Sequence, residues 1–449
     1  MDEDPPAPGW DAAVSTTGYP NEGCNTTDGC VEGNTNAGFA RLFEQTEDRW
    51  VQFGGSYRFR YHDENNMRSF GLTGRDDTFQ LHQTRIWMDA KLNETLTIHG
   101  EIMDAASFGE AWPSRGGEVN RTDLYQLYAD ITVPETDGSL TARLGRQELR
   151  FGSDRLIMAP IWANRRRNHD GARLMWESED WTVDAFWVRP VIRDATNFDS
   201  FDNADLSQQL YGVFATRTAS EQAKQDLYWL AYDGEGGSSP DIAGVRYDTI
   251  GSRHYGGTPE LSYELEGAYQ FGVNSDDSMH SAGFVTGGLG RTFEGVAWNP
   301  DLWVFYDWAS GSDTTGNGFH SYLPRAHYYL GNMDLFGRRN LQDASVRLTT
   351  KPLERVTFVM WYHYFMLANG NDVPYNLNMR PFAGLPAGSA GSKDLGHELD
   401  FTVTWQVTEQ TQLLLGYNYF WAGRFYDTTP GVPSNADGDF LYGHVLVEF

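Results

Sequence analysis

The last nine residues, Leu441-Tyr-Gly-His-Val-Leu-Val-Glu-Phe449, alternate between two kinds of side chain. One face of this extended segment carries Leu441, Gly443, Val445, Val447 and Phe449, and the other carries Tyr442, His444 and Glu448. A period of two that ends on an aromatic residue is typical of the last strand of a transmembrane β-barrel, where one face contacts lipid. We therefore expect Phe449 to serve in membrane assembly of such a barrel.

The same alternation recurs from Arg49 onward in about eighteen runs of ten or so residues. The runs lie near 50–62, 79–92, 95–105, 122–133, 139–150, 169–178, 181–190, 208–217, 225–233, 244–255, 259–274, 280–295, 299–310, 341–351, 354–367, 394–408, 410–424 and 437–449. Residues 49–449 are therefore predicted to be all-β and to form one antiparallel barrel.

The connections between these runs alternate in length. Short ones such as 93–94, 177–180 and 351–354 are separated by long ones such as 106–121, 151–168, 309–340 and 368–393. Short periplasmic turns and long extracellular loops are the rule in outer-membrane barrels. A β-propeller would show a repeat of about 40 to 45 residues, which this sequence lacks. The pattern predicts a closed transmembrane barrel of about eighteen strands in the bacterial cell outer membrane.

Composition excludes several other classes of protein. The mean hydropathy is -0.53, and no stretch reaches the roughly 20 consecutive apolar residues of a membrane helix. A net charge of -28 argues against binding to nucleic acid, which requires a basic surface. The sequence contains no zinc-protease motif, no nucleophile elbow and no phosphate-binding loop, so we expect no enzyme and no cofactor.

Residues 1–48 form a polar segment with little apolar periodicity, which predicts a tail rather than a part of the barrel. Cys24 and Cys30 lie in this tail, and an oxidising compartment would favour a disulfide between them, with two free thiols as the alternative. No signal peptide precedes Asp2, so we expect a mature form whose export signal has been removed.

The polar face of the predicted strands carries charges of both signs. Its members include Arg58, Arg60, Arg85, Arg143, Arg173, Arg246 and Arg347, together with Asp89, Asp130, Asp343, Glu398 and Asp400. Each arginine on the lipid face near the midplane would cost about 2–4 kcal/mol. These residues are therefore predicted to line a wet, charged lumen.

The segment 151–169 is the predicted constriction of this lumen. It carries Trp162 together with Arg155, Arg165, Arg166 and Arg167. A file of guanidinium groups at the narrowest point would favour anions. The alternative is a solvated loop whose arginines pair with acidic groups.

Three stretches resemble the alginate export family of outer-membrane porins. They are Leu144-Gly-Arg-Gln-Glu-Leu-Arg-Phe-Gly-Ser-Asp-Arg-Leu156 with Trp162, Arg167 and Asp170-Gly-Ala-Arg-Leu174; Gly331-Asn-Met-Asp-Leu-Phe-Gly-Arg-Arg-Asn-Leu341 with Arg347 and Lys351-Pro352; and Gly396-His-Glu-Leu-Asp400. The resemblance covers about 50 to 449 and implies a single-chain barrel with an electropositive lumen that passes alginate. It also implies that carboxylates contact Arg146, Arg155, Arg167, Arg173 and Arg347, and that Asp170, Glu398 and Asp400 hold those arginines.

The sequence thus predicts a channel for anionic sugars, oligosaccharides or an alginate-like polysaccharide. A general diffusion porin and a plugged structural or adhesive barrel remain alternatives. The expected partners are the lipid bilayer with its outer-membrane lipids, the anionic saccharide cargo and the barrel-assembly machinery. The acidic loops at Asp276-Asp277 and 435–439 could hold Ca²⁺, although solvated turns are the competing interpretation.

Overall fold

The computed structural model describes residues 49–135, 137–195, 200–234, 244–323 and 326–449, and most of them lie in β-strands. Of the nineteen strands in these ranges, eighteen form the wall of one barrel. They are β1 Trp50–Asn65, β2 Asp77–Lys91, β3 Leu96–Phe108, β4 Asn120–Glu135, β5 Gly138–Gln147, β6 His169–Glu177, β7 Trp181–Ile192, β9 Gln208–Ser220, β10 Ala223–Gly234, β11 Val245–Thr258, β12 Leu261–Val273, β13 Met279–Thr292, β14 Asp301–Ala309, β15 Leu341–Leu353, β16 Val356–Leu367, β17 Asp394–Gln406, β18 Thr411–Ala422 and β19 Gly438–Glu448. The eighteen predicted runs are confirmed.

The remaining elements are short and lie in the connections. Strand β8 (Asn203–Ala204) pairs with the end of β7 in the connection that leads to β9. Helix α1 spans Ala326–Tyr329 and helix α2 spans Arg424–Thr428. No helix in the described part of the chain is long and apolar enough to cross a membrane.

The sheet closes on itself. Each wall strand pairs antiparallel with its two neighbours, and β1 pairs with both β2 and β19. At the seam, Ser56 lies opposite Glu448 and Asn65 lies opposite Asp439. Closure leaves no strand edge exposed, which lipid requires because it cannot hydrogen-bond to free backbone groups. The predicted closed antiparallel barrel is confirmed.

The alternation of side chains follows the predicted parity along most strands. Ile86 and Leu415 are 57% and 58% exposed on the outer face, whereas Arg60 and Glu398 are 2% and 0% exposed inside. In β19, Leu441 and Phe449 face outward while Tyr442 and His444 are buried. The outer face is thus apolar, as contact with lipid requires.

Short turns and long loops lie at opposite ends of the barrel. Turns such as 178–180, 221–222, 259–260 and 354–355 join strands at one end, and connections such as 66–76, 109–119, 148–168 and 368–393 join them at the other. This arrangement confirms the predicted alternation. The short-turn end and the long-loop end are named accordingly below.

The lumen contains more apolar side chains than the sequence predicts. Leu330, Phe336 and Phe425 come from the long connections and pack against Phe365 and Phe420 of the wall. A second buried cluster joins Leu156 and Phe319 of the connections to Phe214 and Phe284 of the wall. A barrel of this size encloses more space than its own side chains can fill, so the loops enter it and need apolar partners there. The lumen is therefore not lined by charge alone.

Candidate functional site

The connection 148–168, here called the constriction loop, folds into the barrel and is fastened to its wall. Arg58 donates hydrogen bonds to the carbonyls of Ile161 and Ala163 at 2.8 and 3.0 Å. Arg60 donates to the carbonyl of Trp162 at 2.7 Å. Two arginines that the sequence places in the lumen therefore hold the loop.

The Asn164 side chain bonds the constriction loop to three different segments. Its Nδ2 donates to the carbonyls of His82, Ala106 and Glu118 at 3.0, 3.1 and 2.9 Å. Gln83 donates in return to the carbonyl of Asn164 at 2.5 Å. These bonds join the loop to β2, β3 and the connection 109–119.

Trp162 lies between two flat groups. The Arg60 guanidinium carbon lies 3.8 Å from the Trp162 ring, and the His327 ring stacks against it with centroids 3.9 Å apart. Cation–π contact and stacking both favour this arrangement. Since Arg60 and His327 contact Trp162 in this way, the indole ring anchors the loop.

Five of the eleven predicted lumen arginines pair with carboxylates. Arg143 binds Asp130 through two hydrogen bonds of 2.8 and 2.7 Å, and Arg146 binds Asp170 through two of 2.8 and 2.9 Å. Arg85 pairs with Glu101 at 2.5 Å, and Arg173 pairs with Asp184 at 2.6 Å. Arg155 pairs with Glu264 and Glu266. Such paired cations have little charge left to offer a mobile anion.

Three arginines near the constriction loop differ from this pattern. Within the described residues, Arg165, Arg167 and Arg193 form no ion pair with a carboxylate, and Arg193 donates only to the carbonyl of Arg166. Burial, then repulsion by Arg193 and Arg167, lowers the pKa of Arg165 to about 9. Burial and Arg193 lower the pKa of Arg167 to about 10. Burial and repulsion thus destabilise the charged forms of Arg165 and Arg167. We call Arg165, Arg167 and Arg193 the arginine group.

A cavity of about 270 Å³ adjoins these three arginines. Arg60, Arg115 and Trp162 also border it, as do Asp400 and Tyr442 of the wall. Arg115 is already paired with Glu64 at 2.5 Å and with Glu118 at 2.7 Å. Three of the cations that border this cavity, those of the arginine group, therefore have no carboxylate partner within the described residues.

The predicted acidic partners divide into two sets. Asp130 and Asp170 bind arginines, as stated above, whereas Asp89 and Asp343 bind His99 and His363 at 2.7 and 2.8 Å. Asp89 lies directly opposite His99 on the next strand, whereas Asp343 lies opposite Phe365 and binds His363 diagonally, two residues along that strand. Cross-strand neighbours on the inner face thus determine these pairs.

Within the described part of the chain, Glu398 and Asp400 bind no arginine, which corrects the expectation from the family resemblance. Glu398 accepts a hydrogen bond from the backbone N–H of Met333 at 2.8 Å, and Asp400 accepts one from Asn332 at 3.1 Å. Gly331 approaches so closely that a Cβ there would lie 2.5 Å from a Glu398 oxygen. The second and third family-like motifs therefore contact each other, and the carboxylates hold the connection 310–340 inside the barrel.

Arg246 does not line the lumen. It is exposed, while its neighbours Val245 and Tyr247 are buried, and Ile250 on its own face is 49% exposed. The inner positions of β11 thus belong to the opposite parity from the one predicted. Arg246 lies at the long-loop end of β11, where the lipid face tolerates a charge far better than at the midplane.

Sequence reasoning did not find Arg193 or His327. Arg193 is followed by Asp194, so its charge is locally balanced in the sequence, and nothing there predicts that it lies beside Arg165. His327 belongs to a connection without periodicity. Cys24 and Cys30 lie outside the described residues.

The acidic loops contribute turn hydrogen bonds. Asp276 accepts from the backbone of Ser278 at 3.1 Å, and Asp437 accepts from Tyr419 and Ala422 at 3.0 and 2.9 Å. Across the described ranges, no group of three or more His, Cys, Asp or Glu side chains could hold a metal ion.

Comparison with known proteins places this barrel in a family. The family model for alginate export matches residues 49–438. A search of curated proteins finds no match.

Solved structures share the fold at low sequence identity. Pseudomonas aeruginosa OccD3 (OpdP) superposes with a TM-score of 0.59 at 12% identity, covering 89% of this chain and 91% of that one. Acinetobacter baumannii OccAB4 gives 0.58 at 10% identity, covering 90% and 99%, and Pseudomonas aeruginosa OpdO gives 0.57 at 13%, covering 89% and 96%. With the closed barrel and the family match, these likenesses indicate a channel rather than an enzyme. The chain belongs to the alginate export family and is a β-barrel channel of the bacterial outer membrane.

Proposed function

We propose that this channel passes anionic sugars, either uronate-bearing oligosaccharides or an alginate-like polysaccharide, and that Arg165, Arg167 and Arg193 contact their carboxylates. The observation that carries the proposal is the contrast among the lumen arginines. Arg143, Arg146 and Arg155 are paired with carboxylates, whereas the arginine group has no such partner in the described ranges. It also borders the 270 Å³ cavity.

The electrostatics of the arginine group favour an anion. Burial and repulsion lower the pKa values of Arg165 and Arg167, so a carboxylate placed between them would relieve the repulsion. Guanidinium groups also match the planar, bidentate geometry of a carboxylate. Contacts at several arginines hold a charged sugar weakly at each step, which allows it to leave again.

Two other functions compete with this proposal. A general diffusion porin would show little preference between anions and cations. The buried apolar clusters in the lumen would favour a plugged structural or adhesive barrel. Conductance separates the plugged barrel from both channels, because a plugged barrel would give no stable pore.

The test is ion selectivity of the purified chain in planar lipid bilayers under a salt gradient. The wild type should give a reversal potential of the sign for anion preference, and added oligouronate should block the current. The variant R165S/R167S should shift the reversal potential toward zero and weaken the block.

The matched control is R246S/R291S, which removes two exposed arginines of the outer face and should keep wild-type selectivity. Cation preference in the wild type, or a reversal potential unchanged by R165S/R167S, would contradict the proposal.

A further inference from the structure

Three inward side chains form a row across neighbouring strands in the wall. Trp303 of β14 lies directly opposite Arg347 of β15, which lies directly opposite Trp361 of β16. All three are buried, at 6%, 3% and 5% exposure. The Arg347 guanidinium carbon lies 5.9 Å from the Trp303 ring and 5.1 Å from the Trp361 ring. We call this set the Trp–Arg–Trp row.

The row presents buried donors that have no acceptor. Arg347 Nε, Trp303 Nε1 and Trp361 Nε1 make no hydrogen bond within the described residues. The one hydrogen bond of Arg347 there runs from its guanidinium to the Tyr328 hydroxyl at 2.8 Å. Buried donors in proteins nearly always have partners, so three together indicate a place for an acceptor from outside the wall.

Neighbouring carboxylates do not meet this need. Glu264 borders the same small cavity as Arg347, yet it is bound by Arg155 and Arg253. Asp343 lies four residues away along β15 and binds His363. Arg347 therefore has no ion-pair partner in the described ranges.

We propose that the Trp–Arg–Trp row is a second carboxylate-binding station, which takes the carboxylate of a uronate sugar. Such a carboxylate accepts from Arg347 and from the Trp303 indole N–H, while the Trp361 N–H, which borders the larger cavity, donates to an oxygen of the sugar. The cavity beside Trp303 and Arg347 measures about 30 Å³, which suits a carboxylate rather than a sugar ring, while Trp361 borders the larger cavity that could receive the ring. Aromatic rings also suit the apolar face of a sugar.

Tyr328 lies between the two cavities and borders both of them. Its hydroxyl accepts from Arg347, and its ring packs edge-on against Trp361 with centroids 5.6 Å apart. The phenol oxygen thus occupies a position that an incoming carboxylate oxygen would take. Tyr328 is therefore an internal competitor for the station.

The uronate identity rests on the proposed function, but the station itself can be tested without conduction. Binding is measured by calorimetric titration of the refolded full chain in detergent micelles with sodium glucuronate, and with glucose as the uncharged probe. The background is R165S/R167S/R193S, so that the arginine group does not contribute. Saturable binding of glucuronate, but not of glucose, is expected there.

Added to this background, R347Q should weaken glucuronate binding at least tenfold, and W361F should weaken it a few-fold. W405F, which alters an outward-facing tryptophan, is the matched control and should bind as the background does.

Y328F should raise the affinity for glucuronate a few-fold, because it removes the competing hydroxyl. This variant also tests the proposal if R347Q fails to fold. Any of four results would overturn the proposal. They are no glucuronate binding in the background, equal binding of glucose, unchanged binding in folded R347Q, and unchanged or weaker binding in Y328F. Loss of anion selectivity in bilayers would leave this titration unaffected, so the two proposals can fail separately.

Discussion

At the scale of single residues, the lumen arginines fall into two groups with opposite effects on stability. Arg155 is 1% exposed and bound by Glu264 and Glu266, so its positive charge stabilises these two carboxylates inside the barrel. Arg165 has like charges nearby and no carboxylate partner in the described ranges. An arginine side chain thus stabilises the fold at position 155 and destabilises it at position 165.

Replacement of Arg155 tests this difference. We expect R155M to lower the free energy of unfolding by about 3–5 kcal/mol, because it leaves the buried Glu266 without its cation and Glu264 with Arg253 alone. R165S should leave the free energy of unfolding unchanged or raise it slightly, since it removes a repelled charge. Denaturant unfolding in detergent micelles, followed by tryptophan fluorescence, measures both. Equal destabilisation by the two variants would refute the distinction.

Sequence alternation predicts which face a residue occupies but not which partner it finds. Arg143 and Asp130 lie on the inner face as predicted, and their pairing follows from strand register. Glu398 and Asp400 also lie inside, yet they bind backbone N–H groups of a distant loop, which no strand pattern encodes. Arg246 was misplaced because the parity assigned to β11 was inverted, and a one-residue shift reverses every side chain of a strand.

At the scale of elements, the Asn164 amide is one of the groups that fasten the constriction loop to the barrel. Asn164 bonds three carbonyls from three different segments, so N164A should loosen the loop while the wall stays intact. We expect greater open-channel current noise and weaker anion selectivity, because Arg165 is the next residue. N371A, in an exposed loop, is the control and should behave as the wild type. Quiet, fully selective N164A channels would count against a fixed constriction.

The connection 109–119 should respond to acid. Burial alone would raise the pKa of the Glu118 carboxyl, but Arg115 and Arg68 outweigh it and lower that pKa below its usual value. A carboxyl whose folded pKa is lowered stabilises the fold above its unfolded pKa, and the effect disappears as pH falls through the folded pKa.

Wild-type stability should therefore decline as pH falls below about 4.5, the ordinary glutamate value. E118Q should be less stable than the wild type at pH 7, and the difference should shrink toward pH 3. Thermal unfolding at a series of pH values measures this, and a difference independent of pH would contradict the assignment.

The strands could be predicted well and the loop paths could not, for a physical reason. A strand that separates lipid from the lumen must alternate, so its period appears in the sequence. The connection 310–340 has no such period, and contacts with distant residues such as Glu398 draw it inside. Only the segment 151–169 was predicted to form the constriction, because a file of arginines at the narrowest point would favour anions.

At the scale of the whole molecule, the seam between β1 and β19 decides whether the barrel closes. Phe449 and Gly55 exchange backbone hydrogen bonds of 2.7 and 2.9 Å. A Cβ at Gly55 would lie 2.8 Å from the Phe449 ring and 2.6 Å from the carbonyl oxygen of Arg85. Glycine is thus required at the place where the two ends of the sheet meet.

Substitution of Gly55 tests how far closure depends on this contact. We expect G55A to displace the Phe449 ring, weaken the seam and lower the yield of folded barrel. The carbonyl oxygen of Arg85 belongs to the backbone, so it cannot move away from the new Cβ as the end of a flexible side chain can. The measurement is the folded fraction after refolding into detergent, read from the heat-dependent shift in electrophoretic mobility. G100A is the matched control, because a Cβ there would meet only the end of Leu127 at 3.8 Å and should leave the yield unchanged. Equal yields from G55A and G100A would mean that the barrel closes without this contact, and closure would then rest on the remaining pairs between Ser56 and Asn65 of β1 and their partners in β19.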